Sequence, residues 1–134
     1  MLSMVYDGKL YLAPIGESPG RCLDIGAGSG IWCIEMGDKF PSADITGVDL
    51  SANVPTWVPP NVHFEVEDVE ESWTFTRPFD YIHCRYMAAA ISDWPRLMRQ
   101  CFEQVIIYDS ITRHVAYLTF QEHKPRRMGR IWRF

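Results

Sequence analysis

The stretch RCLDIGAGSGIW, residues 21–32, limits most strongly what this chain of 134 residues can fold into. A short, mostly apolar run, RCLDI, leads into a loop with glycines at positions 26, 28 and 30. Such a run is typical of a buried parallel strand. Glycine suits the loop because a side chain would block the tight turn or an approaching ligand. The segment therefore predicts a strand, a loop and a helix, with backbone N–H groups and the positive helix end facing a ligand.

The chain up to residue 103 predicts strands that alternate with helices. The predicted elements are a strand at RCLDI, a helix over Ile31–Phe40, strands at Ile45–Leu50, Val62–Val66 and Phe79–Cys84, and a helix over SDWPRLMRQCF, residues 92–102. In this second helix Ser92 or Asp93 is the expected N-cap, and Pro95 lies in the first turn. Three prolines in residues 51–61 leave no room for a long helix between the second and third strands. The alternation predicts the α/β class with a mostly parallel sheet.

Composition narrows the class of protein further. The hydrophobic fraction of 47% and the charged fraction of 22% are ordinary for one soluble domain. No apolar run approaches the roughly 18 residues that a membrane span needs, and the first residues lack the apolar core of a secretory signal. We therefore expect an intracellular protein, in the cytoplasm or nucleus, with no membrane partner. The four cysteines form no C-x-x-C pair and the four histidines show no ligand spacing, so we expect reduced, packed thiols and no metal.

Charge is distributed unevenly along the chain. Residues 1–103 carry 7 basic and 15 acidic residues, whereas residues 104–134 carry 6 basic and 2 acidic ones. An acidic body argues against nucleic acid as a partner, and the short KPRR cluster is typical of a solvated end. We therefore expect no nucleic-acid binding.

The spacing of the glycines discriminates between ligands. A Walker loop requires lysine after its last glycine, but Ile31 follows Gly30. The dinucleotide pattern G-x-G-x-x-G requires a third glycine at position 31, and the chain also has no visible Tyr/Lys pair for a nicotinamide-dependent oxidoreductase. The pattern D-x-G-x-G-x-G instead favours S-adenosylmethionine, with its methionine part held by the loop. Asp24 would attract the ammonium group through water.

Two further acidic residues follow successive strands. Asp49 lies 19 residues after Gly30 and, at the carboxyl edge of a wound sheet, would accept hydrogen bonds from both ribose hydroxyls. The alternative is a strand-end aspartate that caps the next loop. Asp68 would accept a hydrogen bond from the adenine amine, and the backbone of Val69 would contact the adenine ring. Glu67 is the other candidate for the adenine amine. The alternative is that these residues form a solvated acidic turn.

Five segments together resemble the fungal LaeA-like class I S-adenosylmethionine-dependent methyltransferases, over roughly residues 5–103. They are DGKLYLAPI, CLDIGAGSGIW, GVDLSANVPTWVPPNVHFEVEDVEESWTF, FDYIHCRY and ISDWPRLMRQCF. The resemblance implies a Rossmann-like class I methyltransferase fold. Residues 1–103 would form the S-adenosylmethionine-binding core and residues 104–134 a divergent basic tail.

The resemblance also implies roles for individual residues. Asp24, Gly26, Gly28 and Gly30 would form the methionine loop, Asp49 would hold the ribose and Asp68 the adenine. His83 and Arg85 would face the transferred methyl group and the substrate, with His83 as the candidate base. The alternatives are a hydrogen bond of His83 within the sheet edge and an ion pair of Arg85 with a neighbouring acid.

The chain departs from the family pattern at both ends. Few residues precede DGKLYLAPI, and no lysine-proline-glycine-glycine turn follows LMRQCFE. We expect the sheet to be incomplete after the fourth strand, with QVIIY and HVAYLTF either as a hairpin around DSITR or as cover for an exposed sheet edge. One hypothesis is an altered gene, with a retained intron or a frameshift.

The predicted function is methylation of a small metabolite or a protein in fungal secondary metabolism, with weak or lost turnover because a substrate wall would be missing. The alternative is a truncated, non-catalytic homologue that binds a regulatory partner through its exposed sheet edge and apolar patches.

Overall fold

The computed structural model describes residues 10–11, 13–84, 87 and 90–105 in full, together with the backbone of residues 85, 117–121 and 130–133. The described elements are strands β1 (Arg21–Ile25), β2 (Asp44–Asp49), β3 (Val62–Val66), β4 (Tyr81–Arg85), β5 (Tyr117–Gln121) and β6 (Arg130–Arg133), and helices α1 (Ile31–Lys39) and α2 (Trp94–Gln104). No described helix has the length and apolar character to cross a lipid bilayer.

All six strands lie in one sheet in the order β3-β2-β1-β4-β5-β6. Neighbouring strands from β3 to β5 are parallel, and β6 is antiparallel to β5. The sheet winds from β1 through β2 to β3 on one side and from β1 to β4 on the other. The strand order therefore reverses beside β1, and ligands of such sheets bind outside the carboxyl ends of the strands at this point.

The predicted α/β, Rossmann-like class is confirmed. The expectation that the sheet is incomplete after the fourth strand needs correction, because β5 pairs with β4 in parallel and β6 continues the sheet. An unpaired edge on β4 would expose a row of backbone donors and acceptors, and β5 pairs with these groups. The hairpin predicted for QVIIY and HVAYLTF around DSITR lies mostly outside the described residues, but β5, which overlaps HVAYLTF, pairs with β4 and β6 and not with QVIIY. This agrees with the alternative prediction that the segment covers the exposed sheet edge. The domain boundary at residue 103 stays a prediction, although β5 and β6 share the sheet of the core.

The central strands β1, β2 and β4 are largely buried on both faces, as their near-continuous apolar sequences predict. On one face α1 covers Cys22, Ile45 and Tyr81 with Trp32, Cys33 and Met36. On the other face α2 covers Leu23, Ile25, Val48 and Ile82 with Leu97 and Cys101. These two apolar layers fix the carboxyl edge of the sheet between them.

The segment WVPPNV joins α1 to the sheet through one side chain. The amide of Asn61 donates hydrogen bonds to the carbonyls of Gly37, Phe40 and Ala43, at 3.2, 3.0 and 2.9 Å. These acceptors lie at the end of α1 and in the turn to β2, where backbone carbonyls lack helical partners. Asn61 therefore holds the end of α1 against the start of β3.

The start of α2 is fixed by two carboxylates. Asp93 is the N-cap, as predicted, and its side chain accepts from Arg96 N–H at 3.0 Å. Glu70 Oε1 accepts from Ser92 N–H, Ser92 Oγ and Asp93 N–H, at 2.8, 2.7 and 2.9 Å. These hydrogen bonds lower the pKa of Glu70. The acidic turn after β3 is thus tied to the next helix.

Candidate functional site

The glycine loop follows β1 at the point where the strand order reverses. Gly26, Gly28 and Gly30 have φ angles of 72°, 58° and 79°, which lie in the left-handed region that favours glycine. A Cβ atom at Gly26 would collide with the side chain of Met87, and one at Gly30 with the ring of Phe64. A Cβ atom at Gly28 would meet no atom within 4 Å. Gly26 and Gly30 therefore pack against protein, while Gly28 faces open space.

The end of β2 holds this loop in place. The N–H groups of Gly26 and Ala27 donate to the carbonyl of Val48, at 2.9 and 3.0 Å. The N–H of Gly28 donates to Asp49 Oδ2 at 2.9 Å. The sequence spacing of 19 residues between Gly30 and Asp49 thus corresponds to direct contact between the loop and this carboxylate.

Asp49 is held as an anion at the edge of the sheet. Its Oδ1 accepts from the N–H and the hydroxyl of Ser51, each at 2.9 Å. Partial burial acts to raise the pKa of Asp49, but the hydrogen bonds from Ser51 and Gly28 outweigh it and leave the pKa below its usual value. A carboxylate has about four acceptor positions, and Ser51 and Gly28 occupy three of them, so one position on Oδ2 remains for a ribose hydroxyl. Asp49 also caps the loop after β2, as the alternative prediction states, because it accepts hydrogen bonds from Ser51.

A shallow groove lies between the loop and the residues after β2 and β3. Its lining includes Ala27, Gly28, Gly47, Asp49, Ser51, Asn53, Val54, Phe64, Glu65 and Val66. The groove combines open backbone at Gly28, the carboxylates of Asp49 and Glu65, and apolar side chains. Polar groups placed among apolar side chains are what a small-molecule site uses to orient its ligand.

Asp68 and Val69 lie in the turn after β3, next to a second shallow groove lined in part by Trp73 and Phe75. Asp68 is exposed, and its Oδ1 accepts from Glu70 N–H at 3.0 Å. The Val69 carbonyl accepts from Trp73 Nε1 at 2.9 Å and from Gln100 Nε2 at 3.2 Å. The adenine roles of Asp68 and Val69 stay predictions.

Glu67, the rival of Asp68, is exposed, and its N–H donates to the carbonyl of Asp49 at 3.0 Å. This bond brings the turn after β3 next to the end of β2. The structure therefore places the predicted ribose and adenine residues at the same edge of the sheet.

His83 does not face this edge. Its ring is fully buried, lies 2.8 Å from Asp24 Oδ1 through Nδ1, and stacks on Trp32 at 4.1 Å between ring centroids. This geometry corrects the prediction that His83 faces the transferred methyl group. The reason is register: His83 pairs with Asp24 across β4 and β1, on the face that α1 covers. The alternative of a hydrogen bond within the sheet describes His83 correctly.

Asp24 and Arg85 complete the predicted set. Asp24 is only 2% exposed and is enclosed by His83 and by Cys33 Sγ at 3.5 Å, so it offers no surface to an ammonium group or to a bridging water. This corrects the prediction that Asp24 attracts the ammonium group through water. Arg85 ends β4, but its side chain lies outside the described residues, so its role stays a prediction. Among the described residues, no cluster of His, Cys, Asp and Glu forms a metal site.

The sequence model of a family described as "Methyltransferase domain" matches residues 4–127. The chain belongs to this methyltransferase family. It is 50% identical over 103 residues to the methyltransferase pytC of Aspergillus terreus, covering 76% of this chain and 32% of pytC. It is 38% identical over 100 residues to the secondary metabolism regulator LAE1 of Cochliobolus heterostrophus, covering 71% of this chain and 33% of LAE1. The chain thus spans about a third of the length of these relatives. LAE1, by its description as a secondary metabolism regulator, links the family to fungal secondary metabolism.

Solved structures confirm the class I methyltransferase fold. The plantazolicin methyltransferase BpumL in complex with SAH (S-adenosylhomocysteine) matches with a TM-score of 0.63 at 18% identity, covering 76% of this chain and 38% of BpumL. At this identity the likeness supports the fold alone. The resemblance to LaeA-like methyltransferases inferred from the sequence is confirmed by the regulators among the relatives.

Three residues of this methyltransferase domain were not predicted from the sequence as parts of the site. Met87 packs on Gly26, Ser51 donates twice to Asp49, and Trp32 stacks on His83. The Asp-x-Ser spacing of Asp49 and Ser51 is a local signal that identifies a side chain capping its own turn. The contacts of Met87 and Trp32 depend on tertiary packing and have no local signal.

Proposed function

We propose that the groove beside the glycine loop binds S-adenosylmethionine, and that the chain is the cofactor-binding part of a methyltransferase of fungal secondary metabolism. The hydrogen bond from Gly28 N–H to Asp49 carries this proposal. It sets a ribose acceptor against a loop with open space above Gly28, at the edge where the strand order reverses. The methyl acceptor is a small metabolite or a protein side chain.

The residues present fit this cofactor. The N–H groups of Ala27 and Gly28 already donate to Val48 and Asp49, so the carbonyls of these two residues would accept from the ammonium group of the methionine part. Asp49 would hold the ribose, and Asp68 with the backbone of Val69 the adenine. When bound, the cofactor supplies a methyl group on a positively charged sulfur that is already activated for displacement. The residues of the chain then need to align the two reactants and exclude water.

The charge of the edge supports S-adenosylmethionine over phosphate-bearing ligands. Asp49 is held as an anion, and Glu65, Glu67 and Asp68 are exposed beside it. Such an edge repels a pyrophosphate and attracts a sulfonium. Ile31 occupies the position where the dinucleotide pattern requires its third glycine, which also argues against a dinucleotide as the ligand.

The burial of His83 leaves it without a place in proton transfer to or from the acceptor. Arg85, at the carboxyl end of β4, is retained as the proposed substrate contact. The protein is proposed to act inside the cell, in the cytoplasm or nucleus, where its four buried, unpaired cysteines stay reduced.

A second candidate function is regulatory partner binding without turnover. The observation that favours it is the exposure of large apolar side chains in the segments after β2 and at the end of β3: Leu50, Val54, Trp57 and Val66 are 71%, 51%, 64% and 58% exposed, and Val54 and Val66 line the groove. Exposed apolar side chains of this size are typical of interaction sites when they adjoin one another. The relative LAE1, which is named as a regulator, supports the same alternative.

Isothermal titration calorimetry with S-adenosylmethionine on the full chain tests the proposal. We expect saturable binding at or below millimolar ligand, weakened at least tenfold by Asp49→Ala, because a hydrogen bond to a charged group contributes about 1.5–3 kcal/mol. The matched control Asp44→Asn changes an aspartate at the opposite end of β2 and should leave the affinity unchanged. Absence of binding at millimolar ligand would refute the cofactor site. Unchanged affinity in Asp49→Ala would refute the ribose role.

A further inference from the structure

We propose that the edge strand β3 pairs in antiparallel orientation with β3 of a second copy of this chain and forms a symmetric dimer. β3 stands at one end of the strand order, and β2 is the one strand that pairs with it in the part of the chain that the structure describes. An edge strand presents backbone N–H and C=O groups that can pair with another chain. The inference does not rest on the proposed function, because it concerns the edge of the sheet and not a bound cofactor.

The pairing of β3 with β2 decides which backbone groups of β3 face outward. Just after the strand, the N–H of Glu67 donates to the carbonyl of Asp49 in β2 at 3.0 Å. The direction of the backbone groups alternates along a strand, so residues 63 and 65 also direct their N–H and C=O groups to β2. The N–H and C=O groups of Phe64 and Val66 therefore point away from β2, towards the open side of the strand.

One antiparallel register matches this edge to itself. With Phe64 of each copy opposite Phe64 of the other, these two residues exchange N–H···O=C bonds, and the Val66 N–H of each copy donates to the Val62 carbonyl of the other. The N–H of Val62 stays in its own chain, where it donates to the carbonyl of Pro59 at 3.0 Å. Every contact occurs twice with the two copies exchanged, which is the condition for a closed twofold dimer.

The side chains of β3 are complementary in the same register. His63 of each copy lies opposite Glu65 of the other, and both side chains are exposed and share one face of the strand. These are the non-hydrogen-bonded positions of an antiparallel pair, where opposing side chains come closest. On the other face Val66, which is 58% exposed, lies opposite Val62. The dimer therefore pairs a base with an acid on one face and apolar side chains on the other.

Neighbouring registers lack this complementarity. A slip of two residues sets His63 opposite His63 or Glu65 opposite Glu65, and like side chains of this kind directly opposite one another are destabilising. A contact inside the chain also orients the imidazole for the partner, since His63 Nε2 lies 3.5 Å from Asp44 Oδ1. The second ring nitrogen, Nδ1, can then face the Glu65 carboxylate of the other copy. The charge pattern thus selects a single register.

Sedimentation equilibrium of the unaltered chain at a series of concentrations measures the dimer. A strand of five residues buries less than the roughly 1,600 Å² of a standard interface, so the dimer should be weak and dissociate on dilution. We expect the average mass to rise with concentration from that of one chain towards that of two. The mass of one chain at every concentration up to about 1 mM, where even a very weak complex is populated, would overturn the inference.

Two charge variants test the register. Glu65→Lys sets the introduced lysine opposite His63, and His63→Glu sets the introduced glutamate opposite Glu65, so each variant alone should dimerise at least tenfold more weakly than the unaltered chain. An equimolar mixture of the two variants pairs lysine with glutamate and His63 with Glu65, and should dimerise about as tightly as the unaltered chain. Glu71→Lys, the same charge change at an exposed residue outside β3, is the control and should leave dimerisation unchanged. A mixture that stays monomeric would overturn the inference.

Hydrogen exchange followed by NMR at low and high concentration shows whether the backbone of β3 forms the contact. The amides of Phe64 and Val66 should exchange more slowly at high concentration, because they are paired only in the dimer. The amides of His63 and Glu65, which face β2 in each chain, should change much less. Self-association without slower exchange at Phe64 and Val66 would overturn the inference. None of these measurements uses S-adenosylmethionine, so failure of the dimer leaves the proposed function intact.

Discussion

Replacement of Gly28 by alanine tests two properties of the loop: its strained backbone conformation, which affects stability, and its position in the groove, which affects ligand binding. Gly28 has a φ of 58°, and an added Cβ would meet no atom within 4 Å. The substitution therefore introduces no clash in the folded chain. It introduces backbone strain and places a methyl group in the open space above the loop.

The magnitude follows from two opposing effects. An L-residue in the left-handed region costs about 1–2 kcal/mol. Alanine also restricts the unfolded chain more than glycine, which offsets about 0.4–1 kcal/mol of that cost. We expect a net destabilisation of about 1 kcal/mol, corresponding to a fall in Tm of roughly 3–6 °C for a chain of this size.

Gly16 provides a matched control in the same chain. It has a φ of 75°, it is exposed, and an added Cβ there would also meet no atom within 4 Å. Gly16→Ala should therefore lower stability about as much as Gly28→Ala. It lies outside the groove and should leave binding of S-adenosylmethionine unchanged.

Urea denaturation followed by circular dichroism measures the stability of both variants, and calorimetry measures their affinity. We expect similar losses of stability, with at least a tenfold loss of affinity in Gly28→Ala alone. Equal affinities in the two variants would contradict the assignment of Gly28 to the ligand-facing side of the loop. An unchanged stability in both would contradict the strained backbone.

Three further predictions concern stability and reactivity. Asn61→Ala removes the donor shared by three carbonyls at the end of α1 and should destabilise the chain by about 1–3 kcal/mol in urea denaturation. No change in stability would show that water replaces these bonds. The pKa of Asp49 lies below its usual value of 3.8, so its contribution to stability is present above that pH and is lost as the pH falls below it. Between pH 6 and pH 2, the Tm of Asp49→Asn should therefore fall less steeply than the Tm of the unaltered chain. Parallel plots of Tm against pH for the two proteins would disprove this linkage. Burial raises the pKa of the Cys101 thiol to about 12, so this thiol should react with Ellman's reagent at pH 8 only after unfolding, as mass spectrometry of labelled peptides can show. Labelling of Cys101 in the folded chain would be inconsistent with its burial.

The elements with strong local signals were predictable from the sequence. The strand Val62–Val66 and the N-cap Asp93 agree with the structure, and α1 ends at Lys39, one residue before the predicted end. The alternating pattern, the N-cap chemistry and Pro41 are each contained within a few residues. The predicted contact between Asp49 and the glycine loop follows from the rule that parallel strands bring their carboxyl ends to one edge.

The parts that were not predicted depend on contacts between distant segments. The strand β5 overlaps HVAYLTF, which the sequence offers as a strand, but no local pattern near residue 117 specifies its parallel pairing with β4, from Tyr81↔Tyr117 to Arg85↔Gln121. His83 was predicted to face the substrate because it lies near the end of a strand. The direction of its side chain depends on the register of β4 against β1, which sets His83 beside Asp24. A shift of one residue would turn this side chain to the other face of the sheet, so strand position alone does not determine its role.

The most direct test of the central claim, that the loop at Gly26, Gly28 and Gly30 holds S-adenosylmethionine, is a titration followed by two-dimensional ¹H–¹⁵N NMR of the full chain. We expect the largest ligand-induced shifts at the amides of these three glycines, Ala27 and Ser51, and we expect them to saturate with a single Kd. Saturable shifts confined to other parts of the sheet, or no shifts at millimolar ligand, would contradict this claim.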